Sequence, residues 1–108
     1  MTREEILNME PKKIDWEIAE ISGINEKLFR YSYEMGNFNY SSDIATAWGL
    51  IESLASNYYQ IEVCVTNGTY TCNIWESDIR LIDSVEGDNA PEVISKAFLL
   101  AMKGSEEA

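Results

Sequence analysis

Apolar positions along this chain recur with two periods, and the switch between them divides the sequence into helices and strands. Thr2, three residues ahead of Glu5, forms a capping box that opens a short helix through Ile6, Leu7 and Met9, which Pro11 brings to an end. A second helix starts near Pro11, with Ile14, Ile18 and Ile21 on one stripe, Trp16 off it and Gly23 as its C′ residue. From 24 to 40, Leu28, Phe29, Tyr31, Tyr33, Phe38 and Tyr40 alternate with polar residues around a Gly36-Asn37 turn signal, which predicts a loop with room for a short strand. Ser41-Ser42-Asp43 supplies N-caps for a helix over 42–56, whose apolar set is Ile44, Ala47, Trp48, Ile51, Leu54 and Ala55, closed by Asn57. On this spacing Trp48 belongs to the core.

The period then changes to two. Ile61, Val63 and Val65 alternate with polar neighbours before Asn67-Gly68, and Tyr70, Cys72 and Ile74 do so after it, the signature of a hairpin with a type I′ turn. The two-residue turn sets the register: Thr66 faces Thr69, Val65 faces Tyr70, Cys64 faces Thr71, Val63 faces Cys72 and Ile61 faces Ile74. Cys64 and Cys72 therefore point to opposite sides of the sheet and cannot bridge, so two reduced thiols are expected. Ile79, Leu81 and Val85 suggest a third strand, although Arg80-Leu81-Ile82 blurs its alternation. Asn89-Ala90-Pro91-Glu92 opens a last helix through Ile94, Ala97, Phe98 and Ala101 to Gly104. A lone hairpin is marginal in water, so the helix over 42–56 and the C-terminal helix must cover its apolar face. The fold class that follows is α+β, a helix/sheet/helix sandwich with a small antiparallel sheet built on the 59–66/69–76 hairpin. Residues 1–104 read as one domain and 105–108 as a disordered tail.

Composition narrows the chemistry. The 108 residues contain no His, 8 Lys+Arg and 19 Asp+Glu, a net charge of −11. Without His, zinc hydrolases, Ser-His-Asp triads and Cys-His nucleophiles are all disfavoured, and no catalytic residue, metal or cofactor is assigned. The negative charge repels a phosphate backbone, so direct nucleic-acid binding is not expected and the partner should be basic or uncharged. No apolar run approaches the ~20 residues of a membrane span, and Met1-Thr2-Arg3-Glu4-Glu5 lacks the apolar core of a secretory signal, so a cytoplasmic location without membrane contact is expected.

Several strings resemble a known family. The opening Met1-Thr2-Arg3-Glu4-Glu5-Ile6-Leu7-Asn8-Met9-Glu10-Pro11, then Ile18-Ala19-Glu20, Tyr40-Ser41-Ser42-Asp43-Ile44-Ala45-Thr46-Ala47-Trp48, and Ala90-Pro91-Glu92-Val93-Ile94-Ser95-Lys96-Ala97-Phe98-Leu99-Leu100-Ala101 resemble the phage ABA sandwich domain family. The resemblance runs in order over nearly the whole chain and is weakest at 24–39. It implies helix/sheet/helix layering and an origin in phages or prophages of Gram-positive bacteria, and it carries no catalytic residues. Members often have a Gly- and Trp-rich segment before the Tyr-Ser-Asp-Ile-Ala string, where this chain has Tyr31, Tyr33, Phe38 and Tyr40.

Two sets of residues are candidates for partner contact. Between Glu76 and Glu92 the acids Glu76, Asp78, Asp83, Glu86, Asp88 and Glu92 face a single base, Arg80, and such a segment can dock on a basic groove. The plain alternative is a solvated acidic face, and Asp83, Glu86 and Asp88 lack the ordered loop pattern that Ca²⁺ needs. Trp16 and Trp75 fall off the apolar faces of their elements and can serve as anchors or pack under loops; Tyr31, Tyr33, Phe38 and Tyr40 can stack a nucleobase. The reading that joins these features is a non-enzymatic phage protein that antagonises a host defence system, such as a CRISPR nuclease, by occluding its nucleic-acid site with an acidic surface. The partner is then a host protein with a basic surface. The alternative is a homo-oligomeric sponge that sequesters a nucleotide immune signal, or a phage accessory protein of other function.

Overall fold

The computed structural model describes residues 2–21, 39–56, 58 and 60–103. Helix α1 (Arg3–Leu7) opens as its capping box dictates, with the Glu5 amide donating to Thr2 Oγ1 at 3.1 Å. Helix α2 (Pro11–Ile21) starts on its proline and buries Ile14 and Ile18 completely. Helix α3 (Ile44–Ala55) has Asp43 at its N-cap position. Strands β1 (Gln60–Thr66), β2 (Thr69–Ser77) and β3 (Arg80–Gly87) precede helix α4 (Ala90–Lys103), where Asn89 Oδ1 accepts the Glu92 amide at 3.0 Å.

The sheet is antiparallel in the order β1-β2-β3. Asn67 and Gly68 both take positive φ (51° and 79°), the backbone of a type I′ turn. All five hairpin pairs expected from the turn are present, and both cysteines are free thiols, Cys64 exposed and Cys72 buried. The blurred alternation at Arg80-Leu81-Ile82 has a physical cause. The β2–β3 register shifts between Ile74 and Trp75 and again between Trp75 and Ser77, and such a shift breaks the period of two.

One face of the sheet carries Ile61, Val63, Cys72, Ile74 and Val85 and packs beneath α3 and α4; the other is polar, with Glu62, Cys64, Thr71, Asn73 and Ser84. The architecture is thus an α+β fold with helices packed on the sheet. Helix α4 is its centre, in contact with α1, α2, α3, β2 and β3, and Val93, Ile94, Ala97, Phe98, Leu99 and Leu100 are all buried.

Trp48 corrects the expected core. It is 48 % exposed, and the buried face of α3 is instead Ala47, Leu50, Ile51 and Leu54. At 100° per residue these four centre on one direction, from which Ile44 and Trp48 are turned by roughly 70° and 110°. The three-and-four spacing that joins Trp48 to Ile44 and Ile51 thus traces the flank of the helix. Of the loop expected over 24–40, residues 24–38 lie outside the described residues, as do the C′ and closing residues Gly23, Asn57 and Gly104 and the tail at 105–108.

Candidate functional site

The charged side chains divide into committed and uncommitted groups. Arg3 Nη2 meets Asp83 Oδ1 at 2.8 Å and the Ser84 carbonyl at 3.0 Å; Lys13 meets Glu17 at 2.8 Å, Arg80 meets Glu76 at 3.1 Å and Lys96 meets Glu92 at 3.0 Å. Lys96 Nζ also donates to the Leu7 carbonyl at 2.8 Å, which holds the end of α1 against α4. Among the described residues, the exposed carboxylates of Glu5, Glu10, Glu52, Asp78, Glu86 and Asp88 have no ion pair.

The acids singled out in the sequence do not form one patch. Glu76 and Asp78 stand at the β2–β3 turn, whereas Glu86 and Asp88 stand where β3 leaves the sheet beside the Asn67-Gly68 turn. The eight residues of β3 separate these ends by roughly 23 Å at ~3.3 Å per residue. Asp83 lies on the helix-side face, half-buried and paired to Arg3, so it contributes little free charge.

The aromatic candidates are held in place by polar contacts. Trp75 is half-buried on the polar face of the sheet, its Nε1 donating to Glu62 Oε1 at 2.5 Å, and Trp16 Nε1 donates to Glu20 at 2.7 Å. Tyr40 packs against the core, and its carbonyl accepts the buried Ser95 hydroxyl at 2.9 Å. Tyr31, Tyr33 and Phe38 lie outside the described residues.

Sequence reasoning missed what anchors the 39–43 turn. The Ser41 amide donates to the buried Asp15 Oδ1 at 2.8 Å, and the Ser41 hydroxyl lies 3.2 Å from Asp15 Oδ2. Burial raises the Asp15 carboxyl above its ordinary value, while the two Ser41 bonds oppose the shift. The Tyr40-Ser41 part of the family-like string thus serves as a clamp between α2 and α4. Burial likewise pushes the Cys72 thiol up to about 11, which leaves it inert at neutral pH.

An apolar groove of about 510 Å³ lies between the start of α3, the end of β1 and the start of α4, lined by Ile44, Val63, Val65, Tyr70 and Pro91 with Asp88 at its rim. Its sequence signals were the alternation that placed Val63, Val65 and Tyr70 on one apolar face and the spacing that gave Ile44 to the apolar set of its helix. Among the described residues no cluster of His, Cys, Asp or Glu is placed to hold a metal ion, and no helix is long and apolar enough to cross a membrane. No protein-family model matches the chain, and no curated protein or solved structure matches it.

Proposed function

We propose that the protein is a non-enzymatic binding domain that meets a basic surface on a host protein, with the nucleic-acid channel of a defence nuclease as the partner class. The observation that carries this reading is the one-sided commitment of charge. Arg3, Lys13, Arg80 and Lys96 are each held in an ion pair, while Asp78, Glu86 and Asp88 present carboxylates to solvent without one. A partner approaching a chain of net charge −11 meets an anionic field, which speeds association with basic surfaces and repels nucleic acid. A nuclease channel is basic because it must neutralise phosphates, so its charge complements this surface. The resemblance to phage ABA sandwich proteins supports a host defence nuclease as the specific target.

The test is displacement of DNA from a CRISPR nuclease of a Gram-positive host by the purified chain. Displacement is expected to weaken steeply with salt, and the triple variant Asp78→Lys, Glu86→Lys, Asp88→Lys should stay folded and lose it, since exposed substitutions shift stability by only about ±0.5 kcal/mol each. Equal displacement by the variant would show that these carboxylates are a solvated face. No displacement by the parent chain would remove this nuclease as the target.

A further inference from the structure

We propose that the outer edge of β1 is a self-association site, where two copies pair β1 with β1 antiparallel about a two-fold axis at Val63. The product is a single six-stranded sheet in the order β3-β2-β1-β1-β2-β3. This is independent of the partner reading above.

The two edges of the sheet differ in how they are protected. Strand β3 carries Arg80, Asp83 and Glu86 and two register shifts, devices that discourage strand addition. Strand β1 has fewer of them: it runs as seven consecutive pairs with β2, holds no Pro, Lys or Arg, and contains one charge, Glu62. A two-residue hairpin closes on a hydrogen-bonded pair, here Thr66 and Thr69, and the pattern alternates from there. Cys64, Glu62 and Gln60 therefore turn their backbone groups toward β2. Ile61, Val63 and Val65 turn theirs outward, and among the described residues no backbone group bonds to them.

The strand is complementary to itself in one register. With the axis at Val63, Ile61 lies opposite Val65 of the second copy, Glu62 opposite Cys64 and Gln60 opposite Thr66, so all seven residues pair. Moving the axis to Glu62 sets two carboxylates face to face, and moving it to Cys64 leaves only residues 62–66 paired. Charge also favours this register. Two chains of net charge −11 repel, and this register adds no facing carboxylates, because Glu62, the one charged residue of β1, lies opposite Cys64. Exposed apolar side chains lie beside the same edge, with Val65 62 % and Ile44 49 % exposed on the shared groove and Trp48 one turn along α3, the helix that rests on β1, although the most exposed, Ile79, stands at the β2–β3 turn. A second copy docked at β1 would cover this surface.

The experiment is sedimentation of the full chain over a concentration series, combined with residue-resolved amide exchange. We expect a species of twice 12.3 kDa, and amides of Ile61, Val63 and Val65 whose exchange slows as concentration rises. Val65→Pro removes one outward N–H without touching the β1–β2 ladder, and should sediment as monomer. Should that variant fail to fold, the parent supplies its own probe. Cys64 is exposed and Cys72 inert, and the two Cys64 Cα atoms would lie roughly 7–8 Å apart as diagonal neighbours. A short bismaleimide should then yield a covalent dimer that Cys64→Ser abolishes. A monomer at every concentration overturns the proposal, whether the three amides are open or protected within one chain. A dimer in which they stay unprotected overturns it too, since the interface is then elsewhere.

Discussion

Helices α3 and α4 lie over the same sheet and both carry apolar residues at spacings of three and four, yet their fates differ. Helix α3 is the more apolar in composition and the more exposed, burying four of its twelve residues and leaving Ile44 and Trp48 in solvent. Helix α4 buries Val93 to Ser95 and Ala97 to Leu100. The difference lies in their neighbours. Among the described residues, helix α4 is enclosed by α1, α2, α3 and two strands, whereas α3 packs chiefly on α4 and the edge strand β1. An apolar stripe shows that a helix can be buried; the number of elements packed around it decides how much of it is.

The sharpest way to break this comparison is Leu99→Ala. Leu99 is fully buried at the centre of α4, and its truncation should cost ~2–5 kcal/mol in chemical denaturation through lost burial and a cavity. A cost below about 1 kcal/mol would mean that α4 is not the centre of the core.

A smaller effect should follow from Asp15→Ala, which leaves the buried Ser41 amide without its acceptor and should cost about 1–3 kcal/mol. Its pH dependence has a definite sign. The folded Asp15 carboxyl is raised above its ordinary 3.8 by burial, so the stability it contributes is fully present below 3.8 and falls as pH rises through the folded value. The gap between parent and variant, read by urea denaturation across that range, should narrow as pH rises. A gap that widens would mean that the Ser41 hydrogen bonds outweigh burial at Asp15.

The smallest effect is expected for Trp48→Ala, about 1 kcal/mol, because the side chain sits on the flank of α3. A loss of several kcal/mol would return Trp48 to the core and erase the contrast between the helices.

The hairpin was legible in full, because a turn that needs two residues with positive φ and a strict period of two leave a single register. The caps at Thr2 and Asn89 were equally legible, since each bond spans three residues. The candidate site was legible only as a list of residues. Asp78 and Asp88 are near in sequence, but β3 runs between them and carries them to opposite ends of the sheet. Asp15 and Ser41 are 26 residues apart, and nothing local to either announces the other.

What the chain determined by itself was every feature set by neighbours within a few positions: caps, the type I′ turn, strand register, the separation of the two thiols and the sign of the charge. What only the tertiary structure decided was how elements face one another: which helix became the core, which side of α3 met it, which cations were held in ion pairs, and which strand edge has no partner strand among the described residues. Local geometry is dictated by backbone sterics and hydrogen bonds that any short stretch must satisfy. Burial, ion pairing and edge exposure depend instead on residues that sequence distance keeps apart until the chain has folded.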